Sequence, residues 1–118
     1  TDGRTYPWGE GIDCDHAQYK ECGGKTVPVG SKPRGASPYG VLDMAGNVLE
    51  WVADRYDEGY YSQSPGRNPL GPDSGGYRVL RGGSWLNNRG STRCASRNWN
   101  IPVHGYDYVG FRCARGSP

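Results

Sequence analysis

Apolar residues in this chain fall into a few short runs, separated by long polar stretches. The run over residues 48–53 follows the turn-forming segment Ala45–Gly46–Asn47 and predicts a buried strand. Further strands are predicted over residues 77–80, over residues 92–97 around Cys94, and over residues 109–115, where Phe111 and Cys113 would share one face. Val27 and Val29 predict a short edge strand whose pairing is limited by Pro28. The pattern indicates an α+β or mostly-β domain in which long irregular loops surround a short antiparallel sheet.

The composition fits one small domain spanning residues 1–118. The chain has 118 residues, of which 20 are glycine and 9 are proline, and both types disfavour long helices. Hydrophobic residues make up only 34% and the mean hydropathy is −0.83. Aromatic residues nevertheless reach 12%, which argues against disorder. The expected core is therefore small and built largely from tryptophan and tyrosine.

Charge and hydropathy exclude some classes of partner. The net charge of +2 gives no strong electrostatic case for nucleic acid. No apolar run approaches the ~20 residues of a membrane span, so we expect no membrane contact. The first residues, 1–4, are polar, and we expect no signal peptide within this chain. These observations leave the compartment and the oligomeric state open.

Four cysteines, Cys14, Cys22, Cys94 and Cys113, allow three disulfide pairings. The sequence does not choose among them, and structural disulfides and plain buried thiols both remain open. Zinc is disfavoured because the spacings lack the short CxxC pattern of most structural zinc sites.

Four ordered motifs carry a family resemblance. They are YPWG at residues 6–9, YGVLDMAGNVLEW at 39–51, RVLRGGSW at 78–85 and GFRCAR at 110–115. In order and spacing they resemble the signatures of the formylglycine-generating enzyme (sulfatase-modifying factor) family. The resemblance implies an α+β fold of the C-type-lectin-like, sulfatase-modifying-factor type. The family's N-terminal portion has no counterpart here, so the resemblance implies the C-terminal core or a piece of a longer protein.

The resemblance also allows a test for oxidase chemistry. Oxidases of this family activate dioxygen at a copper ion held by two cysteines in the segment after RGGS(Y/W). Those positions fall on Asn87 and near Thr92 here, and neither residue supplies the soft thiolate that Cu(I) prefers. We therefore expect no copper and no catalytic residues, although a formylglycine-generating oxidase remains the alternative.

Residues 85–110 resemble the variable region of diversity-generating-retroelement proteins of the same fold, within a variable region of about 78–115. Template regions of such proteins are rich in asparagine, because the mutated bases are adenines of AAC codons. The resemblance implies a non-catalytic module that binds a protein or other macromolecule through a diversified surface. The ligand-binding residues implied are Leu86, Asn87, Asn88, Ser91, Ser96, Asn98, Trp99, Asn100, Ile101, His104, Tyr106, Asp107 and Tyr108.

Physical chemistry supports such a surface independently of the genetics. Tyrosine and tryptophan supply contact area at low entropic cost, and serine, glycine and asparagine supply adaptable hydrogen bonds. Two alternatives stay open: an ordinary family member whose loop is rich in Asn and Tyr, and an accessory or sensor domain of a larger protein. Trp99 in particular could pack on the core instead. The frame is expected to be held by Trp51, Arg81, Trp85, Phe111 and Arg112, with several arginines bracing backbone carbonyls.

A calcium site is the remaining candidate, on Asp43, Gly46, Val48 and Glu50, which align with such a site in the family. Calcium takes six to eight oxygen ligands, and two carboxylates flanking a tight turn would supply some of them. The alternative is that Asp43 caps backbone and Glu50 pairs with an arginine.

Overall fold

A computed structural model, which describes residues 2–116, shows one four-stranded mixed sheet. The strands are β1 (Leu49–Arg55), β2 (Arg78–Arg81), β3 (Asn98–Asn100) and β4 (Val109–Gly110), in the order β3-β2-β1-β4. β2 runs antiparallel to both β1 and β3, whereas β4 pairs parallel to β1. Three single-turn 3-10 helices cover Pro33–Gly35, Tyr60–Ser62 and Arg89–Thr92. No helix within residues 2–116 is long and apolar enough to cross a bilayer.

The core lies where β1 and β2 pair. Leu80 of β2 stands opposite Trp51 of β1, and Val79, Leu80 and Leu49 are buried. The register between the two strands shifts between Trp51 and Arg55, so β1 is irregular toward its C-terminal end. The remaining buried apolar side chains come from loops: Tyr6, Ala17, Tyr19 and Ala45.

The long loops are closed by buried amide side chains. Asn47 is buried, accepts a hydrogen bond from the Val27 amide at 3.0 Å through Oδ1, and donates to the Val27 carbonyl at 3.1 Å. Gln18 is also buried and donates through Nε2 to the carbonyls of Cys22 at 2.7 Å and Lys25 at 2.8 Å. Each side-chain amide bonds to backbone groups of loops that form no strand. These bonds satisfy the loop backbone without additional strands.

Gly46 is required by the turn that the sequence predicts at residues 45–47. Its φ is +82°, and an added Cβ would stand 2.5 Å from the Gln18 carbonyl oxygen. Its amide donates to the Gly82 carbonyl at 2.8 Å, which ties the turn to the end of β2. Both the left-handed conformation and the close approach exclude a side chain.

Two parts of the predicted fold class are not confirmed. Residues 2–116 contain no α-helix, so the α+β label does not describe this part of the chain. The sheet is not purely antiparallel, because β4 pairs in parallel with β1 through Leu49–Val109 and Glu50–Gly110. The coarser prediction, a short sheet with long irregular loops, is confirmed.

The strand predictions near residues 48–53 and 77–80 are confirmed within a few residues as β1 and β2. The strand predicted over 92–97 is wrong, because this segment pairs with no strand: the Ser96 amide donates to the Arg93 carbonyl at 3.0 Å and the Cys94 amide to the Thr5 carbonyl at 2.8 Å. The strand predicted over 109–115 shrinks to Val109–Gly110, and Phe111 is 76% exposed. No strand forms at residues 27–29, where the backbone of Val27 pairs with the Asn47 side chain instead.

The cysteines divide into two kinds. Cys14 and Cys22 form a disulfide across eight positions of sequence. Cys94 and Cys113 are exposed free thiols. The four cysteines thus form one disulfide and two exposed thiols, and neither predicted alternative describes all four.

Gly46→Ala should lower the free energy of unfolding by about 2–3 kcal/mol, because the methyl group must displace the Gln18 carbonyl or distort the turn. Gly66→Ala is the matched control, since Gly66 has nothing within 4 Å of an added Cβ. Urea denaturation followed by tryptophan fluorescence measures both variants. Equal midpoints would show that the turn tolerates a side chain.

Candidate functional site

A polar cleft of about 490 Å³ opens between the end of β2 and the 3-10 helix Arg89–Thr92. We call it the arginine cleft, because two arginines but no acidic residue line it. Its lining residues are Leu49, Leu80, Gly82, Gly83, Asn87, Asn88, Gly90, Ser91, Arg93, Ser96, Arg97 and Asn98. Asn87, Asn88, Ser91, Ser96 and Asn98 are among the residues predicted to bind ligand, and the fold brings these five together.

Local hydrogen bonds build the wall of the arginine cleft. Asn87 Oδ1 accepts from the backbone amide of Ser84 at 2.9 Å and from its hydroxyl at 2.7 Å, and Ser84 is fully buried. Asn88 Oδ1 accepts from the Ser91 amide at 3.1 Å and thereby caps the 3-10 helix. Asn87 and Asn88 therefore shape the wall through their oxygens.

An aromatic platform, consisting of Tyr56, Tyr61, Arg97 and Trp99, borders the arginine cleft. The rings of Tyr56 and Trp99 stack with centroids 4.0 Å apart and planes 11° apart. The Arg97 guanidinium lies 5.3 Å from the Tyr56 ring centroid and 4.1 Å from that of Tyr61. Trp99 remains 45% exposed and Tyr61 60% exposed. Trp99 thus packs on a surface tyrosine and does not enter the core.

A second aromatic group, the tyrosine edge, consists of His104, Tyr106 and Tyr108. Tyr106 and Tyr108 stack with centroids 5.1 Å apart, and His104 meets Tyr106 edge-on at 6.3 Å. The Trp85 indole donates to the carbonyl of Asp107 at 3.3 Å, so Asp107 is fixed through its main chain and its side chain is exposed. The remaining predicted residues are exposed (Leu86, Ile101) or half-buried in β3 (Asn100).

The sequence predictions missed three members of this surface. Tyr56 and Tyr61 lie outside the predicted segment 86–108, and Arg97 lies within it but was not among the predicted ligand-binding residues. The available signal was a pair of adjacent tyrosines, Tyr60 and Tyr61, in a glycine-rich polar loop, where large rings have little core to enter. The frame predictions fare better at Arg81, which donates to the carbonyls of Cys94 at 3.3 Å and Ser96 at 3.1 Å.

The residues predicted to bind calcium lie around a second cavity of about 350 Å³, where oxygens of Glu50 and Asp43 already accept hydrogen bonds. Arg112 contacts both carboxylate oxygens of Glu50, at 2.5 and 2.6 Å, and donates to the carbonyls of Leu42 at 2.9 Å and Asp43 at 3.0 Å. Asp43 Oδ2 accepts from the Gly30 amide at 2.7 Å. The hydrogen bonds that Arg112 donates to Glu50 raise the pKa of Arg112, which therefore remains a cation at any pH of interest.

The oxygens of Glu50 and Asp43 do not fit a calcium ion while they are bonded as they are here. A divalent cation would have to displace the guanidinium from Glu50, because two cations cannot share the carboxylate without strong repulsion. The geometry therefore favours the ion-pair alternative, and Arg112 braces the backbone as the sequence predicted for the arginines of the frame. Calcium binding stays a prediction, now with the condition that Arg112 must leave.

The arginine cleft has no ligands for copper. Residues 86–92 contain no cysteine, histidine or carboxylate, and no cluster of three such residues suited to a metal occurs within residues 2–116. Cys94 lies two positions beyond this segment, and its backbone amide donates to the Thr5 carbonyl at 2.8 Å. Partial burial raises the pKa of the Cys94 thiol, which leaves it protonated and weakly nucleophilic near neutral pH.

Fold and site together define a small loop-rich scaffold that presents a polar cleft beside exposed aromatic rings. Residues 1–117 match the sulfatase-modifying factor enzyme 1-like domain, and the chain belongs to this family.

Relatives in the family bear different names. The chain is 46% identical over 113 residues to "Serine/threonine-protein kinase pkn1" of Chlamydia caviae, covering 94% of this chain and 18% of that protein. It is 38% identical over 130 residues to the formylglycine-generating enzyme of Streptomyces coelicolor, covering 95% of this chain and 40% of the enzyme. The structure of Treponema denticola variable protein 1 is similar, with a TM-score of 0.69 and 32% identity over 82% of this chain and 34% of that one. This chain thus spans well under half the length of each of these relatives.

Asn87→Ala should lower the free energy of unfolding by about 1–3 kcal/mol, because the buried amide and hydroxyl of Ser84 lose their acceptor. Asn98→Ala is the matched control, since Asn98 is exposed and its Oδ1 accepts only from the amide of the next residue, at 2.8 Å. Thermal unfolding followed by circular dichroism distinguishes the two. A stable Asn87→Ala variant would remove the structural role assigned to this side chain.

Calcium and EDTA should leave the melting temperature of the unmodified chain unchanged, because Arg112 already satisfies Glu50. In Arg112→Gln the carboxylate and the carbonyls of Leu42 and Asp43 are released, and millimolar calcium should raise the melting temperature of this variant. Terbium luminescence sensitised by the neighbouring Trp51 gives a second measurement. The double variant Glu50→Gln/Arg112→Gln should lose the response, and stabilisation of the unmodified chain by calcium would contradict the ion-pair assignment.

Proposed function

We propose that the chain is a non-catalytic ligand-binding module that uses residues 86–108 as a diversified surface on a C-type-lectin-like scaffold. The surface combines the arginine cleft, the aromatic platform and the tyrosine edge. Its ligand is a protein or another macromolecule. The similarity to Treponema denticola variable protein 1 supports this proposal, and so does the lack of thiols where a copper oxidase of the family would need them.

One observation carries the proposal: the scaffold holds residues 86–108 mainly by their backbone. Frame side chains and amides donate to main-chain carbonyls along the segment. Tyr6 donates to Arg89 at 3.0 Å, the Lys20 amide to Asn87 at 2.9 Å, and the Leu49 amide to Tyr108 at 2.9 Å. Contacts of this kind do not depend on which side chain the segment carries.

The sheet extends the same principle. β3 pairs with β2 through Val79–Trp99 and its two neighbouring pairs, which are backbone interactions. Arg81 adds two further bonds to carbonyls at Cys94 and Ser96. Side chains such as those of Ser91, His104 and Asp107 are therefore exposed and replaceable. Asn87 and Thr92 are exceptions within the segment, since the Asn87 side chain bonds to the buried Ser84 and Thr92 is itself buried.

A second candidate is an accessory segment of a longer protein. The alignment with the Chlamydia caviae kinase covers nearly all of this chain but 18% of that protein. A binding module and an accessory segment are compatible, because a module that recognises a ligand can serve a larger chain. A formylglycine-generating oxidase is the remaining alternative, and the relative from Streptomyces coelicolor keeps it open for experiment.

The triple variant Ser91→Ala/His104→Ala/Asp107→Ala should change the free energy of unfolding by less than about 1 kcal/mol, because its side chains are exposed. Arg81→Ala should cost about 2–3 kcal/mol, since two carbonyls lose a charged donor. Arg115→Ala is the control for removing an exposed arginine. Urea denaturation compares the three variants, and collapse of the triple variant would contradict a replaceable surface.

The same preparation, supplied with copper and a cysteine-containing sulfatase peptide, should produce no formylglycine. Mass spectrometry of the peptide detects the loss of the thiol. Turnover above that of free copper would establish an oxidase and end the proposal of a non-catalytic module.

A further inference from the structure

The arginine cleft carries positive charge that the described chain does not neutralise. None of the ion pairs formed within residues 2–116 involves Arg93 or Arg97, and no aspartate or glutamate lines the cleft. Arg93 uses Nε to donate to the Gly90 carbonyl at 2.7 Å, which leaves its terminal nitrogens free for another acceptor. Unpaired guanidinium groups at a concave surface indicate a site for an anion.

Arg97 is positioned by aromatic rings and not by an acid. Its guanidinium lies near the faces of Tyr56 and Tyr61, and it makes no side-chain hydrogen bond within residues 2–116. A guanidinium held through its face keeps its N–H groups, which lie in the plane, available to a planar acceptor. The side chain is half-buried, so an acceptor supplied by a ligand would recover solvation that Arg97 has partly lost.

The three asparagines of the arginine cleft form the same kind of side-chain hydrogen bond. Asn87, Asn88 and Asn98 each use Oδ1 to accept from a backbone amide, at 2.9, 3.1 and 2.8 Å. Since backbone N–H groups only donate, these bonds engage the amide oxygens, and the NH₂ groups remain as donors. The cleft therefore offers donors from both arginines and asparagines.

We propose that the arginine cleft binds a carboxylate side chain of an acidic peptide segment in a partner protein. This inference deepens the proposed binding function and rests on it. The planar fork of an arginine matches a carboxylate, and the exposed rings of Tyr61 and Trp99 offer contact area to neighbouring peptide residues. A nucleic acid fits less well, because it requires many phosphate contacts and the net charge is only +2.

Fluorescence anisotropy with labelled peptides tests this assignment. The probe is a Ser-Gly-Glu-Phe-Glu-Gly-Ser peptide, compared with its Gln-Phe-Gln counterpart and with a labelled single-stranded oligonucleotide. The acidic peptide should bind at least about tenfold more tightly than the amide counterpart, since a hydrogen bond between two charged groups contributes more than one to a neutral amide. Binding should weaken with added salt.

Variants assign the binding to the arginine cleft. Arg97→Gln should weaken binding of the acidic peptide about tenfold. Arg97→Lys should recover only part of it, because lysine keeps the charge but lacks the planar fork. Arg34→Gln makes the same change in net charge at an exposed arginine that does not line the cleft, and it should bind as the unmodified chain does. Unchanged circular dichroism spectra establish that each variant is folded.

Equal binding of the two peptides, no binding of the acidic peptide, or an unchanged affinity in Arg97→Gln would each overturn the carboxylate assignment. Tighter binding of the oligonucleotide than of the acidic peptide would overturn it as well. The surface-replacement experiment separates this failure from that of the proposed function. If the triple variant stays folded while the acidic peptide fails, the replaceable binding surface stands and only its ligand class is lost.

Discussion

The buried amide of Asn47 is the interaction on which the rest of this structure depends. Its backbone amide donates to the Gln18 carbonyl at 2.7 Å, its carbonyl accepts from the Trp85 amide at 2.9 Å, and its side chain pairs with both backbone groups of Val27. One residue thus joins the loop around Gln18, the loop around Val27 and the segment after β2. In the part of the chain from residue 2 to 116, no buried side-chain polar atom lacks a hydrogen-bond partner. Closure by polar groups replaces much of what a larger apolar core would supply.

This kind of closure separates stability from recognition. The contacts that hold residues 86–108 in place reach mainly backbone atoms, and the strand β3 is paired through its main chain. Side chains that are exposed on this surface can change in size and polarity, and no buried polar group then loses its hydrogen-bond partner. The scaffold can therefore keep its frame when exposed side chains of the segment are changed.

Local sequence was sufficient for the elements whose causes are local. β1 lies in a dense apolar run, β2 contains the apolar pair Val79 and Leu80, and the turn at residues 45–47 contains a glycine and an asparagine that both adopt positive φ, +82° and +66°. The bracing role of the arginines was also predictable, because a long side chain with a planar donor group can reach carbonyls across a loop. Composition predicted exposed aromatic and polar residues in the segment 86–108; Trp99 and His104 are exposed, whereas Tyr106 and Tyr108 are half-buried and Thr92 is buried.

The remaining features depend on contacts between distant segments. β3 is polar in sequence and is a strand because β2 offers an edge to it, whereas residues 92–97 alternate like a strand but bond to Thr5 and to the Arg81 side chain instead of to a strand. The pairing of Cys14 with Cys22 and the parallel direction of β4 cannot be read from spacing. The stack of Tyr56 on Trp99 joins β3 to the residue that follows β1. Such pairings depend on which distant segments meet in the fold, and local sequence does not contain that information.

The orientation of the asparagines shows how a scaffold can give a variable surface a constant polarity. An asparagine in this segment satisfies a backbone N–H with its oxygen and exposes its NH₂ group, as Asn88 and Asn98 do. Replacement by serine or tyrosine gives a hydroxyl that can donate or accept, and replacement by aspartate reverses the exposed polarity. The charge of the arginines beneath, Arg93 and Arg97, does not change with these substitutions. The constant charge of the two arginines would therefore keep a preference for anionic groups, while the substituted side chains around them select among those groups.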